Sequence, residues 1–197
     1  MGTRHLTCVV IDKQFKVAQY GQWDGSPSSA GKIIVDFIKT KMKPETFRKK
    51  LQALKETTDA EVGRRWMSVG ADGSGMVTMD VAEKFKAKFP HLNRDCGAGI
   101  LKLIQNGKAK EVQMQLDFAQ DSLFCEWAYV VDMDKEVLEV YKGFNKKPVP
   151  KTNRFYSEKP LIKADGKPSE YNTIRLKKKY PFAELDNFLE QAKRWKN

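Results

Sequence analysis

The run Phe124-Cys125-Glu126-Trp127-Ala128-Tyr129-Val130-Val131-Asp132, the polar step Met133-Asp134-Lys135-Glu136 and the return Val137-Leu138-Glu139-Val140-Tyr141-Lys142 decide the fold. Aromatic and β-branched residues crowd both arms, and a short charged step parts them, so the spacing predicts two antiparallel strands. Trp127, Tyr129, Val131, Val137 and Tyr141 supply the cross-strand packing. A second apolar pair, residues 5–11 and 15–20, flanks Asp12-Lys13-Gln14 and predicts a hairpin at the start of the chain. Asp132 and Asp134, at the second turn, could pair as metal ligands or as acid and base, but read better as solvated turn residues.

Between the two pairs the period becomes helical. A helix is predicted from about Lys32, with Ile33, Ile34, Phe37 and Ile38 on one face. Pro44 suits the first turn of another, in which Phe47, Leu51 and Leu54 recur. Thr58 with Glu61 has the form of a capping box ahead of Trp66. Asp80 is placed to cap a helix carrying Val81, Phe85 and Phe89, and Asn106-Gly107 to stop one over Ala98 to Gln105. Residues 143–170, rich in proline and lysine, read as a long surface excursion. A strand at Tyr171 to Leu176 and a helix near Phe182 to Trp195 close the chain. Strands and helices do not alternate, so the expected class is α+β: an antiparallel sheet built from the N-terminal and central hairpins, with several helices packed on it, in one domain over 1–197.

With 41% hydrophobic and 31% charged residues the chain has enough apolar surface to fold, and no apolar stretch reaches the roughly 18–20 residues of a membrane span. Leu6 to Ile11 is too short for a signal peptide, and Leu6 stands where myristoylation needs Ser or Thr, so a cytoplasmic location is expected. Cys8, Cys96 and Cys125 lack paired spacing, which argues for reduced thiols and against zinc; Cys8 and Cys125 read as small core residues. Asp72, Ser74, Asp80 and Glu83 fail as a calcium loop, because Met76 and Val77 occupy positions that need a ligand and a glycine. No metal and no cofactor are expected. A formal net charge of +11 favours anionic partners.

The densest chemistry lies in Gln19-Tyr20-Gly21-Gln22-Trp23-Asp24-Gly25. Two amides, a phenol, an indole and a carboxylate at a strand end suit recognition of a planar polar ligand: Gln19 and Gln22 for edges, Tyr20 or Trp23 for stacking, Asp24 for a hydroxyl. The competing structural reading makes Trp23 a core plug and Asp24-Gly25 a turn. Ser28, with Ser26 and Ser29, precedes a predicted helix N-terminus, where free N–H groups can hold an anion. Hairpin pairing should bring Arg4 and His5 beside this run, Arg4 to meet negative charge and His5 to titrate or donate. In the C-terminal third, Lys146, Lys147, Lys151, Arg154 and the run Arg175 to Tyr180 combine cations with aromatics in a way compatible with nucleic acid.

Gly2-Thr3-Arg4-His5-Leu6, followed by Gln19 to Ser28 and later by Asp121 to Asp132, resembles a family of phage and bacterial proteins with no assigned activity, and similar openings occur in fungal proteins. The resemblance implies a phage or prophage setting, hence a bacterial host cytoplasm, and a shared site at the first hairpin; it transfers no catalytic residue. Ser29 replaces the more usual glycine after Pro27-Ser28.

The leading expectation is binding of a polar, anionic, nucleotide-like small molecule at the first hairpin, sequestering a host signal. The alternative is a hydrolase or transferase using the same pocket, with Thr3, Ser28, His5 and Asp24 as its available actors; Gly2 offers no N-terminal nucleophile. A third is binding of nucleic acid or an acidic host protein through the basic C-terminal third. Nothing in the sequence sets an oligomeric state.

Overall fold

The computed structural model describes residues 2–158, 161–162, 164 and 166–195. Strands β1 (His5–Ile11) and β2 (Gln14–Gly21) form the first hairpin. Its loop is the two residues Asp12-Lys13, both left-handed at φ 54° and 62°, the pattern of a type I′ turn whose twist matches the flanking strands. The central segment then supplies α1 (Lys32–Thr40), α2 (Pro44–Gln52), β3 (Lys55–Glu56), α3 (Asp59–Met67), α4 (Met79–Lys88), α5 (Ile100–Gln105) and β4 (Glu111–Val112). β5 (Trp127–Asp132) and β6 (Val137–Lys142) form the second hairpin, followed by β7 (Arg175–Pro181) and α6 (Leu185–Ala192).

The five long strands make one sheet in the order β2-β1-β5-β6-β7. Both hairpins are antiparallel, but β1 pairs with β5 in parallel, His5 opposite Trp127 and Val10 opposite Asp132. The sheet is therefore mixed, which refines the antiparallel expectation. The physical reason is the connection: β2 returns the chain to the end where β1 starts, and the helical segment leads from Gly21 into Trp127, both opposite His5, so β5 runs beside β1 in the same direction. The fold is α+β.

β1 and β5 are buried on both faces along their full lengths, which explains their nearly continuous apolar sequences. On one face Val9, Val17, Tyr129, Val131 and Val140 pack under Ile34, Phe37, Phe47, Leu101, Ile104 and Phe188 of the helices. On the other, Leu6, Cys8, Val10, Ala18, Ala128, Val130 and Tyr141 meet Ala119, Phe155 and Ile174 from irregular segments. A smaller apolar cluster joins Val62, Phe85 and Leu92, with Trp66 stacked on Phe85 at 3.6 Å between centroids.

Several local expectations shift. Ile34, Phe37 and Ile38 are buried as expected, but Ile33 is 51% exposed and Val35 takes its place on the buried face of α1. The Thr58/Glu61 capping box is present, whereas Thr78 rather than Asp80 caps α4. β7 begins at Arg175, beyond the expected Tyr171, because the backbone before it hydrogen-bonds elsewhere: Asn172 N–H to Asn145 O and Ile174 N–H to Ala119 O. Trp195 follows α6 and stacks on Trp127.

The segment at 143–170 does more than cross the surface. Phe155 is buried against Phe15 and Tyr141. Beside it Arg154 reaches two buried carboxylates, Asp132 and Glu139, its Nε donating to Glu139 Oε2 at 2.6 Å. Asp132 is thus no solvated turn residue: β5 carries it under the excursion, where Arg154 and the N–H groups of Asp134 and Lys135 satisfy it. The Asp134 carboxylate accepts from the N–H groups of Asp12 and Lys13 at 3.0 and 2.8 Å, tying the two hairpin turns together.

Arg154→Met would strand two buried carboxylates, so a loss of about 3–5 kcal/mol is expected in a urea titration. Adding Asp132→Asn and Glu139→Gln to that variant should recover much of the loss. A single-variant cost below about 1 kcal/mol would contradict this account.

Candidate functional site

The predicted site residues lie at the end of the sheet where β1 and β5 start and β2 stops, and strand periodicity divides them. Register places His5 opposite Gly21 and Trp127, and Thr7 opposite Gln19 and Tyr129, so these side chains share the helix-covered face. Leu6 opposite Tyr20 turns Tyr20 to the other face, where its ring meets Phe118 edge-on at 4.8 Å. One pocket does not gather the whole run.

His5 is 2% exposed and sits among three glycines from separate segments. A Cβ on Gly21 would lie 2.1 Å from its Cε1, one on Gly97 2.8 Å from the same atom, and one on Gly25 2.7 Å from its Cβ. Tyr129 packs edge-on to the imidazole at 6.5 Å, and its hydroxyl donates to Gly25 O at 2.8 Å. Neither imidazole nitrogen has a hydrogen-bond partner among the described residues, and Thr7 Oγ1 behind it is likewise unpaired. Burial pushes the His5 pKa down to about 4, so the ring is neutral at pH 7. Gln19, also buried, donates from Nε2 to Tyr20 O at 3.1 Å.

On the opposite face Arg4 lies over the exposed Phe124 ring, 4.4 Å from its centroid. Its backbone N–H donates to Glu126 Oε1 at 3.1 Å, which fixes where β1 begins. The Tyr20 hydroxyl hydrogen-bonds Gln22 Oε1. Burial raises the Tyr20 pKa, opposed by the charges of Arg4 and Arg94.

Trp23, Asp24 and Ser28 belong to the loop and are exposed. Asp24 adopts φ 53°, and its carbonyl accepts from Ala30 N–H at 2.9 Å, so its visible work is in the turn. Ser28 lies in a short π-helical turn, Pro27–Gly31, that leads into α1, its hydroxyl 3.0 Å from that of Ser26. No hydrogen bond joins Thr3, His5, Asp24 and Ser28 to one another among the described residues, so the nucleophile–base contact of the hydrolase reading is not formed.

Trp23 is no core plug. Its indole is 48% exposed, Gly2 packs against one part of it, and its Nε1 donates to Asp95 Oδ1 at 3.1 Å. Asp95 is in turn 3.4 Å from Lys86 Nζ, and Gln22 N–H donates to Arg94 O at 2.9 Å. These contacts seat the loop against residues 92–95 and place Trp23 at the wall of a groove of about 660 Å³. Trp66, Lys86, Asn93, Arg94 and Gln113 line it as well, with Met76, Val77 and Met79 at its edge. None of these partners was singled out from the sequence. Arg94-Asp95 and Trp66 were visible there, but only the contacts of Gln22 and Trp23 with residues 94–95 bring them to the site.

The basic C-terminal residues are largely engaged within the fold. Lys177 lies over Trp195, Lys178 donates to Gln191, Lys179 pairs with Glu139, and Lys146 with Glu170. Among the described residues no cluster of His, Cys, Asp and Glu suits a metal, and no helix is long and apolar enough to cross a membrane. Comparisons with protein-family models, curated proteins and solved structures returned no significant match.

The buried imidazole gives a pH signature. Unfolded, His5 takes up a proton near its ordinary value of 6.5; folded, it does so only near 4, so its contribution is fully present above about pH 6.5 and is lost as pH falls toward 4. Between about pH 7.5 and pH 4.5 this should remove about 2–3 kcal/mol of stability. In urea titrations at the two pH values, His5→Gln should show a drop smaller by that amount; equal drops in both proteins would refute the assignment.

Proposed function

We propose that this chain binds a planar, anionic small molecule of nucleotide type in the groove beside Trp23. The observation that supports this reading is the half-exposed indole, pinned through Nε1 to Asp95 and set in the wall of a groove that also holds Arg94 and Lys86. A volume of about 660 Å³ lies within the range that takes one small ligand, roughly 300–1,000 Å³. The division of labour follows from side-chain chemistry. Trp23 offers a stacking face and Arg94 a planar cation for phosphate; with Asn93 Oδ1 taken by Asp95 N–H and Gln113 Nε2 by Asp59, the other amide atoms of Asn93 and Gln113 read ring edges. Asp95 orients both the indole and Lys86.

Of the residues expected from the sequence, Trp23 carries the recognition in this proposal, Gln22 joins the wall through Arg94 and is held by Tyr20, and Arg4, over Phe124, lies away from the groove. His5 and Gln19 belong to the buried layer beneath. The phage or prophage setting implied by the resemblance at Gly2 to Leu6 and Gln19 to Ser28 is consistent with sequestration of a host nucleotide signal.

A panel of nucleoside mono-, di- and triphosphates should include ligands that quench tryptophan fluorescence and raise the Tm. Trp23→Ala should weaken binding by about tenfold or more, since base–aromatic stacking is worth about 1–3 kcal/mol, while its urea midpoint stays near that of the parent. Arg94→Ala should weaken phosphorylated ligands and leave nucleosides unaffected. Silence across the panel, or unchanged affinity in Trp23→Ala, would defeat the proposal.

A further inference from the structure

Along the β7 edge of the sheet, the edge opposite β2 and Trp23, on the face that the helices do not cover, a cleft of about 440 Å³ opens between β6, β7 and the turn at 150–154. Lys135, Arg154, Arg175 and Lys179 line it, against the single carboxylate of Glu139. Those four cations come from three separate places. Lys135 lies in the β5–β6 turn, Arg154 in the excursion, and Arg175 and Lys179 on β7.

Two of them are fixed from below. Glu139 is fully buried and accepts from Arg154 Nε at 2.6 Å, Lys179 Nζ at 2.7 Å and the Tyr141 hydroxyl at 2.8 Å. Burial alone would raise its pKa, but these donors bring it below its ordinary value, so the carboxylate stays charged and keeps holding both cations. Arg154 spends Nε and Nη2 on Glu139 and Asp132, and neither carboxylate takes its Nη1. The other two cations, Lys135 and Arg175, form no ion pair with a carboxylate among the described residues.

Lysines on an edge strand also discourage pairing with other chains, and β7 is an edge. That explanation does not reach Lys135 in a hairpin turn or Arg154 in the excursion, neither of which lies on the edge. Convergence of four cations on one concavity, two of them already oriented, is the arrangement that binds a multiply charged oxyanion with little ordering cost.

We infer that the cleft formed by Lys135, Arg154, Arg175 and Lys179 is a second anion site, built for the phosphate or diphosphate group of a small molecule and separate from the Trp23 groove. Arg154 and Lys179 form its fixed floor, and Lys135 and Arg175 close on the ligand from the rim. Thr152 and Asn153 line the same cleft and supply neutral polar groups.

Inorganic pyrophosphate is the probe, titrated calorimetrically against the full chain in buffer of low and of near-physiological ionic strength. Lys135→Ala and Arg175→Ala alter exposed side chains and leave the buried ion cluster intact, so both should fold, with circular dichroism and the urea midpoint as checks. Each is expected to weaken pyrophosphate by about tenfold and the double variant by about a hundredfold, as loss of charge-assisted contacts predicts. Lys178→Ala, whose parent side chain bonds Gln191 on the helix side, should bind as the parent does. The inference is overturned if pyrophosphate fails to bind, or if the double variant binds it as well as the parent. It is overturned equally if a single-stranded oligonucleotide binds across the same residues, with steep salt dependence, while pyrophosphate does not.

Discussion

Everything in this molecule hangs on the parallel pairing of β1 with β5. Six register positions, from His5 opposite Trp127 to Val10 opposite Asp132, join two hairpins that lie far apart in the chain. Both strands are covered on both faces, so this seam is the least solvated part of the sheet. The helices pack on one side of it, and Phe155, Ala119 and Ile174 close the other. Because β2 has already brought the chain back to the end where β1 begins, the long crossover between the hairpins leaves at Gly21 and re-enters the sheet at Trp127, both opposite His5. That crossover carries the residues at 92–95 that meet Trp23.

The same seam explains how polar residues distribute. At the end where β1 begins, Thr7, Gln19 and Tyr129 form a row across three strands, beside His5 over Gly21. These groups are enclosed under the loops and serve the architecture. On the other face, carboxylates of β5 and β6 lie under the excursion, where Arg154 neutralises them and Lys179 joins Glu139. Both proposed sites lie at the margins of the sheet: an indole held by a carboxylate beyond the end of β2, and a group of cations held by another carboxylate along the β7 edge. In both places a buried or half-buried acid sets the geometry of the group that faces solvent.

Much of the fold was legible in the residues themselves. The apolar arms around Met133-Asp134-Lys135-Glu136 and around Asp12-Lys13 gave both hairpins, and Thr58 with Glu61 gave the start of α3. Those signals are local, resting on turn chemistry and side-chain period. What stayed hidden is long-range. No local pattern distinguishes a hairpin that joins its neighbour in parallel from one that joins it antiparallel. Lysines at 177–179 argue against a strand until Lys177 and Lys178 are seen to lie along Trp195 and Gln191 at an edge. The candidate site fared similarly. Composition drew attention to Gln19 through Asp24, but alternation along β2 sends Gln19 and Tyr20 to opposite faces. Gln22 and Trp23 then found their partners through contacts with Arg94 and Asp95, about seventy positions away.

The seam also has a consequence for synthesis. Arg4 and Glu126, which meet at its start, are 122 residues apart. At about 5–20 residues per second, β1 waits roughly ten seconds after its own translation before β5 exists to pair with it. During that interval Leu6 to Ile11 has one edge paired with β2 and the other open, an apolar template for unwanted strand addition. Crowded overexpression is therefore the condition in which this open edge of β1 is most exposed to unwanted pairing.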